Sequence, residues 1–221
     1  MTLKVSVIGT GYLGATHAAC VSNMGFEVTG VDIDQSKIEL LNQGKVPFYE
    51  PDLEDLLSSE IKKGTLKFTS NFADIAAADI HFICVGTPQQ ENSLAADLRY
   101  VDAALDAVAA VAKAGSLVVG KSTVPVGTAE RLRKRLQDKN PEVDLAWNPE
   151  FLREGFAVED TLKPNRLVVG VANDAAELIL KELYKKNIDE GTPWVRADLP
   201  TSELVKVAAN SFLATKISFI N

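Results

Sequence analysis

The chain has 221 residues, 46% of them hydrophobic and 24% charged, with a formal net charge of −7. That balance belongs to a folded globular protein and excludes a disordered one. The acidic sign, with no cluster of Lys and Arg, excludes a nucleic-acid surface, and no apolar run approaches a membrane span. The length admits one large domain, or one domain with an extension.

Short apolar strands alternate with amphipathic helices along almost the whole chain. Strands are expected at residues 4–8, 27–31, 67–69, 80–85, 117–120, 144–147, 166–171 and 194–195. Helices are expected at 12–24, 35–42, 51–62, 100–113, 127–137, 175–185 and from 201 to the end. Runs such as IHFICV and SLVVG are apolar throughout, as in a parallel sheet covered on both faces. The alternation predicts an α/β fold, Rossmann-type and doubly wound, with a mostly parallel sheet over residues 1–198. The first strand runs straight into a glycine turn, so it reads as strand and not as a leader. Cys20 and Cys84 sit in apolar settings far apart, which suits reduced core thiols in a cytoplasmic protein. Gln89–Ala96 is the softest stretch, a polar surface flap.

The first strand leads into Gly9-Thr10-Gly11-Tyr12-Leu13-Gly14, and a helix follows; a second strand ends at Asp32, eighteen residues after Gly14. In this setting the glycines make a dinucleotide fingerprint. Gly9 makes the tight turn, Gly11 admits the diphosphate, and Gly14 lets helix pack on strand. Tyr12 and Leu13 open the helix whose N-terminal amides and dipole face the diphosphate. Asp32 is placed to accept from the adenine-ribose hydroxyls, and its charge favours NAD over NADP. Lys37 either reaches the ribose or is an ordinary solvated lysine.

The segment Thr201–Asn221 reads as a helix that is apolar around nearly its whole circumference, so it is expected to lie between packed bodies. Pro200, the hydroxyls of Thr201 and Ser202, and Glu203 supply its start. It has no C-terminal cap, and the chain is expected to stop inside a long central helix spanning residues 199–221. Lys206 and Asn210 share one face of it. On its own, Lys206 reads as a snorkelling lysine or as a functional amine needing a polar cavity.

Four further segments fall where sites of such folds are built: Cys84-Val-Gly-Thr-Pro88, Lys121-Ser-Thr-Val-Pro-Val-Gly127, Asn148-Pro-Glu-Phe-Leu-Arg-Glu-Gly155 and Lys206-Val-Ala-Ala-Asn210. With the glycine turn and NQGKVPFYEPDLE (Asn42–Glu54), they closely resemble the nucleotide-sugar dehydrogenase family. That resemblance covers essentially the whole chain. It implies two successive NAD-dependent oxidations of a sugar C6 alcohol to a carboxylate, through an enzyme-bound thioester. The implied substrate is a UDP-sugar, UDP-glucose first; GDP-mannose and UDP-N-acetylhexosamines stay open, as does a non-catalytic NAD-binding module.

The resemblance places Lys206 and Asn210 as donors to the reacting C6 oxygen and Glu150 as the base that activates water. It puts Glu154 near nicotinamide and substrate, and Phe151, Leu152 and Arg153 along the sugar-nucleotide pocket. Glu150 and Glu154 lie one turn apart if their segment is helical, though acids after Asn-Pro can equally be helix-start residues. Thr123 would hold a water or touch the nicotinamide, and Thr87 would meet the cofactor's phosphate or ribose; either can instead be a turn hydroxyl. Arg166 reads as a structural ion-pair residue. The nucleophilic cysteine of the family lies in a later glycine-rich segment, past Asn221 together with the sugar-binding domain, and neither Cys20 nor Cys84 fits that role. A homodimer or larger assembly through the terminal helix is expected. Three positions depart from the family's pattern: Asp52 stands for Gly, loop 89–97 lacks the usual Asp-Gly turn, and Asn165 replaces Asp.

Overall fold

Runs of four or five residues, too short for stable helices, form the strands of a single sheet. The central ones are largely apolar and buried on both faces, and those at the edges are partly exposed. The computed structural model describes residues 3–221. Its elements begin with β1 (Lys4–Ile8), α1 (Tyr12–Asn23), β2 (Glu27–Val31), α2 (Gln35–Asn42), α3 (Leu53–Lys63) and β3 (Leu66–Thr69). Then come β4 (Ile80–Ile83), α4 (Arg99–Val111), β5 (Leu117–Gly120), α5 (Thr128–Lys139), β6 (Asp144–Trp147) and α6 (Ala157–Leu162). The chain ends with β7 (Leu167–Gly170), α7 (Asp174–Leu183), α8 (Lys185–Asp189), β8 (Trp194–Ala197) and α9 (Leu199–Ile220).

The strand order is β3-β2-β1-β4-β5-β6-β7-β8. Strands β1 to β6 are parallel, β7 meets β6 antiparallel at Trp147 and Gly170, and β8 runs parallel to β7. The first six follow the order of a doubly wound dinucleotide-binding sheet, whose ligands lie beyond the carboxyl ends of the strands. Successive side chains serve opposite layers. Val5, Val7, Ile80, Phe82, Leu117 and Val119 join one apolar cluster, while Ile8, Ile83, Val118, Leu145 and Trp147 join the other.

Several local features differ from the sequence reading. Residues 148–153, open between helix and loop in the sequence, form an irregular loop, and α6 and α8 are additional short helices. Pro149 biases Asn148 away from helical geometry. The flap at 89–96 closes on itself through a bridge between Gln89 and Ala96 and a hydrogen bond from Gln90 N to Ala95 O of 2.9 Å. Two departures from the family pattern have a common explanation. Asp52 and Asn92 are the non-glycine residues with positive φ among those described, at 63° and 58°. Each holds the left-handed turn that a glycine otherwise supplies, and Asp and Asn tolerate it best.

Helix α9 starts at Leu199, capped by Asp198, whose carboxylate accepts from Thr201 N at 2.7 Å. Ser202 packs into a notch at Gly170, where a Cβ would come within 2.2 Å of its Oγ. Glu203 turns away from its own helix and accepts from Gly127 N (2.7 Å) and Ala129 N (2.6 Å) at the start of α5. The expected all-round burial of this helix holds only at its root. Leu199, Ser202, Glu203 and Lys206 are buried, whereas every residue from Asn210 onward is exposed. No helix among the described residues is long and apolar enough to cross a membrane.

Candidate active site

The glycine turn joins β1 to α1. Gly9 has φ of 85°, and its amide donates to Val31 O at 2.8 Å, closing the turn against β2. A Cβ on Gly14 would lie 1.8 Å from Gly9 O, so helix and turn touch backbone to backbone. At Gly11 a Cβ would meet nothing within 4 Å. Gly11 is the N-cap of α1; it offers no side-chain acceptor, and the first turn carries no acid. The free amides of that turn therefore face open space, the arrangement that receives a diphosphate.

Beside it lies a cavity of about 460 Å³ lined by Gly9, Gly11, Asp32, Ile33, Val85 and Tyr100, among others. Asp32 Oδ2 accepts from Thr10 N at 2.8 Å, Thr10 Oγ1 at 3.0 Å and Lys37 Nζ at 2.9 Å. Lys37 is therefore not merely solvated: it is the counter-ion of Asp32. Burial works to raise the pKa of Asp32, but Lys37 and the amides of Thr10 and Asp34 outweigh it and hold the carboxyl below its ordinary range. Asp32 Oδ1 is left with one long bond, from Asp34 N at 3.1 Å, and has capacity for ribose hydroxyls. The residues present fit the dinucleotide. Leu13 packs its side chain onto the apolar cluster, so only its backbone is available to that ligand.

A second cavity, of about 290 Å³, opens past the ends of β5 and β6. Lys206, Asn210, Glu150, Phe151, Leu152 and Arg153 all line it, bringing together α9 and the 148–156 loop. Lys206 Nζ lies 2.9 Å from Glu150 Oε1, with side-chain exposures of 9% and 20%. Glu150 Oε2 accepts from Leu152 N at 2.7 Å, which bends the loop around the carboxylate. Arg153 is fixed by a two-pronged pair with Asp160, at 3.0 and 2.7 Å. Arg166 corrects an expectation: it makes no ion pair among the described residues, and its guanidinium sits 4.4 Å from the centre of the Phe151 ring.

Six expected residues line neither cavity: Tyr12, Leu13 and Gly14 in the first turn of α1, and Thr87, Thr123 and Glu154. Thr87 spends its hydroxyl on Thr123 O (2.8 Å), so it ties two strand-end loops together; Thr123 is half-buried at that junction. Glu154 is exposed in the turn after the loop, where its charge reaches Tyr12. Burial, then the hydrogen bond to Glu50, pushes the Tyr12 phenol up to about 12.

Other residues of the site have no strong local signal. Glu50 is buried and accepts from Tyr12 Oη, Gly155 N (2.9 Å) and Ala157 N (2.7 Å), binding the glycine turn to the loop and to the start of α6. Lys121 and His17 line the inner end of the second cavity, both buried. A lysine directly after the apolar run LVVG was the available hint for Lys121. Cys20 and Cys84 are free and buried, and burial pushes each thiol up to about 12.

A fingerprint turn on a doubly wound sheet, with Asp32 just past β2 and a largely apolar cavity beside it, defines a dinucleotide-binding domain of the oxidoreductase type. Residues 3–188 match the NAD-binding domain of the UDP-glucose/GDP-mannose dehydrogenase family, and the chain belongs to that family. It is 42% identical over 224 residues to a UDP-glucose 6-dehydrogenase of Rhizobium meliloti, covering 99% of this chain and 51% of the relative. It superposes on a UDP-glucose dehydrogenase from Pyrobaculum islandicum with a TM-score of 0.91 and 40% identity, over 100% of this chain and 52% of that one. A GDP-mannose dehydrogenase from Pseudomonas aeruginosa gives 0.90 and 33%, over 98% and 51%. The chain thus spans about half the length of these relatives. NAD is its cofactor.

Proposed function

We propose that this chain is the cofactor-binding part of a cytoplasmic UDP-glucose 6-dehydrogenase, which oxidises the C6 alcohol of UDP-glucose to the carboxylate of UDP-glucuronate. The covalent step, a thioester, uses a cysteine outside these residues. The ion pair between Lys206 and Glu150, 2.9 Å long in one cavity with Asn210, carries this reading. When bound, NAD would supply the acceptor for the hydride leaving C6, and the hydroxyl proton would pass to solvent through the open cavity. Lys206 and Asn210 donate to the C6 oxygen and stabilise negative charge as it develops there. To do so, Lys206 leaves Glu150, which frees that carboxylate to take a proton from the water that attacks the thioester. Thr123 and Glu154 line neither cavity, so no contact with that water or with the nicotinamide is assigned to them. Phe151, Leu152 and Arg153 line the path of the sugar nucleotide. A second copy of the chain packs on the exposed length of α9.

Calorimetric titration of the 221-residue chain with NAD, then UDP-glucose, tests the binding half. NAD is expected to bind, with little or no turnover by the chain alone. Turnover is measured in a protein extended past Asn221 with UDP-glucose, GDP-mannose and a UDP-N-acetylhexosamine. Reduction of NAD with UDP-glucose supports the assignment, and preference for another sugar changes the substrate but keeps the reaction. NAD binding with no response to any nucleotide sugar leaves only a sensor module.

A further inference from the structure

Lys121 is the unexplained charge in this site. It follows β5 directly, is only 7% exposed, and has no carboxylate within 4.0 Å among the described residues. Among the described residues its one side-chain hydrogen-bond partner is neutral, Asn148 Oδ1 at 3.1 Å, and the face of the Phe82 ring lies 5.8 Å away. That oxygen also accepts from Tyr184 Oη at 2.7 Å, while Asn148 Nδ2 donates to Val168 O at 2.9 Å. The amide is thereby fixed in orientation, and it sits two residues before Glu150. An ammonium with one neutral acceptor keeps two unused donors, and burying a charge that way is costly. The buried His17 Nε2, in the same cavity, has no hydrogen-bond partner among the described residues.

A further requirement comes from the reading of the site above, on which the inference rests. A Lys206 ammonium shared between Glu150 and a substrate oxygen is a weaker counter-ion for Glu150 than one held by it alone. A carboxylate so left in a partly buried cavity is stabilised by another cation. Lys121 lines the same cavity as Glu150 and Lys206.

We propose that Lys121 is a positioning residue, the alternate counter-ion of Glu150, which holds that carboxylate in register when Lys206 turns to the substrate. Burial lowers the pKa of Lys121, Cys84 and Glu150 oppose the shift, and Lys206 adds to it, so the three charged groups already sense one another. His17 and Tyr184 are the other titratable groups at this end of the cavity.

Two measurements test it. In the 221-residue chain with labelled lysines, NMR follows the Lys121 titration. Glu150→Gln is expected to lower the midpoint by about one pH unit, and Lys206→Met to raise it. An unchanged midpoint in Glu150→Gln overturns the proposal without requiring any Lys121 variant to fold. In the extended protein, Lys121→Met is expected to cut kcat roughly ten- to hundred-fold, with KM for UDP-glucose held within about two-fold. Its melting temperature should be unchanged or higher, because a buried unpaired charge has been removed. A lower melting temperature with normal kcat marks a structural lysine and overturns the proposal. If the unaltered extended protein turns over no nucleotide sugar, the reading of the site fails and this proposal falls with it; that outcome is distinguished because it appears before any substitution.

Discussion

Adding one methyl group at Gly11 and at Gly14 has opposite consequences. At Gly14 the methyl would sit 1.8 Å from Gly9 O, and backbone must move. Gly14→Ala is therefore expected to cost about 2–4 kcal/mol in equilibrium unfolding, the scale of an overpacked core. At Gly11 the methyl meets nothing within 4 Å and φ is −70°, so the fold tolerates it. Gly11→Ala should change stability by less than about 1 kcal/mol while weakening NAD binding roughly ten-fold, about 1.4 kcal/mol, by calorimetry. The two glycines were legible in the sequence because their roles are set by neighbours within a few residues. Lys121, Glu50 and Glu203 were not legible as site residues. Their partners lie 27 to 107 positions away, and only folding brings them together.

At the scale of elements, the strands at residues 4–8, 27–31, 117–120 and 144–147 appear as expected, while β4 and β7 are each two residues shorter than the spans read from the sequence. The 148–156 segment stayed open, since the spacing of Glu150 and Glu154 fits one turn of helix but does not require it. Pro149 and the side-chain bonds of Glu150 and Arg153 stabilise a loop instead, leaving Glu150 inside and Glu154 outside. The same principle of side chains holding backbone operates between α9 and α5, where Glu203 serves two amides. Removing that carboxylate leaves a buried helix start unsatisfied. Glu203→Ala should cost about 1–3 kcal/mol in denaturant titration. An unaltered midpoint in that titration would mean that the cap carries no energy.

For the whole molecule, two buried histidines make stability depend on pH. Burial holds His81 down to about 4 and His17 well below its ordinary value. An unfolded histidine gains its proton near pH 6.5, whereas the folded His81 gains it only near 4. Between those values the unfolded state binds more protons, so stability is full above pH 6.5 and declines as pH falls towards 4. His81 alone accounts for about 3 kcal/mol; urea unfolding at a series of pH values measures it, and a flat profile from pH 7 to 4 would contradict it. The exposed run of Phe212, Leu213, Ile217, Phe219 and Ile220 makes a second prediction. Sedimentation should show association that grows with concentration and is abolished by Phe212→Glu with Phe219→Glu.

The way α9 is mounted has a mechanical consequence. Its root is clamped by Ser202 in the Gly170 notch and by Glu203 on α5, and the remainder projects by roughly 20 Å as a continuous rod. Lys206 sits at the fulcrum. A load applied to the free arm would act as torque about that root, beside which the Lys206–Glu150 pair lies.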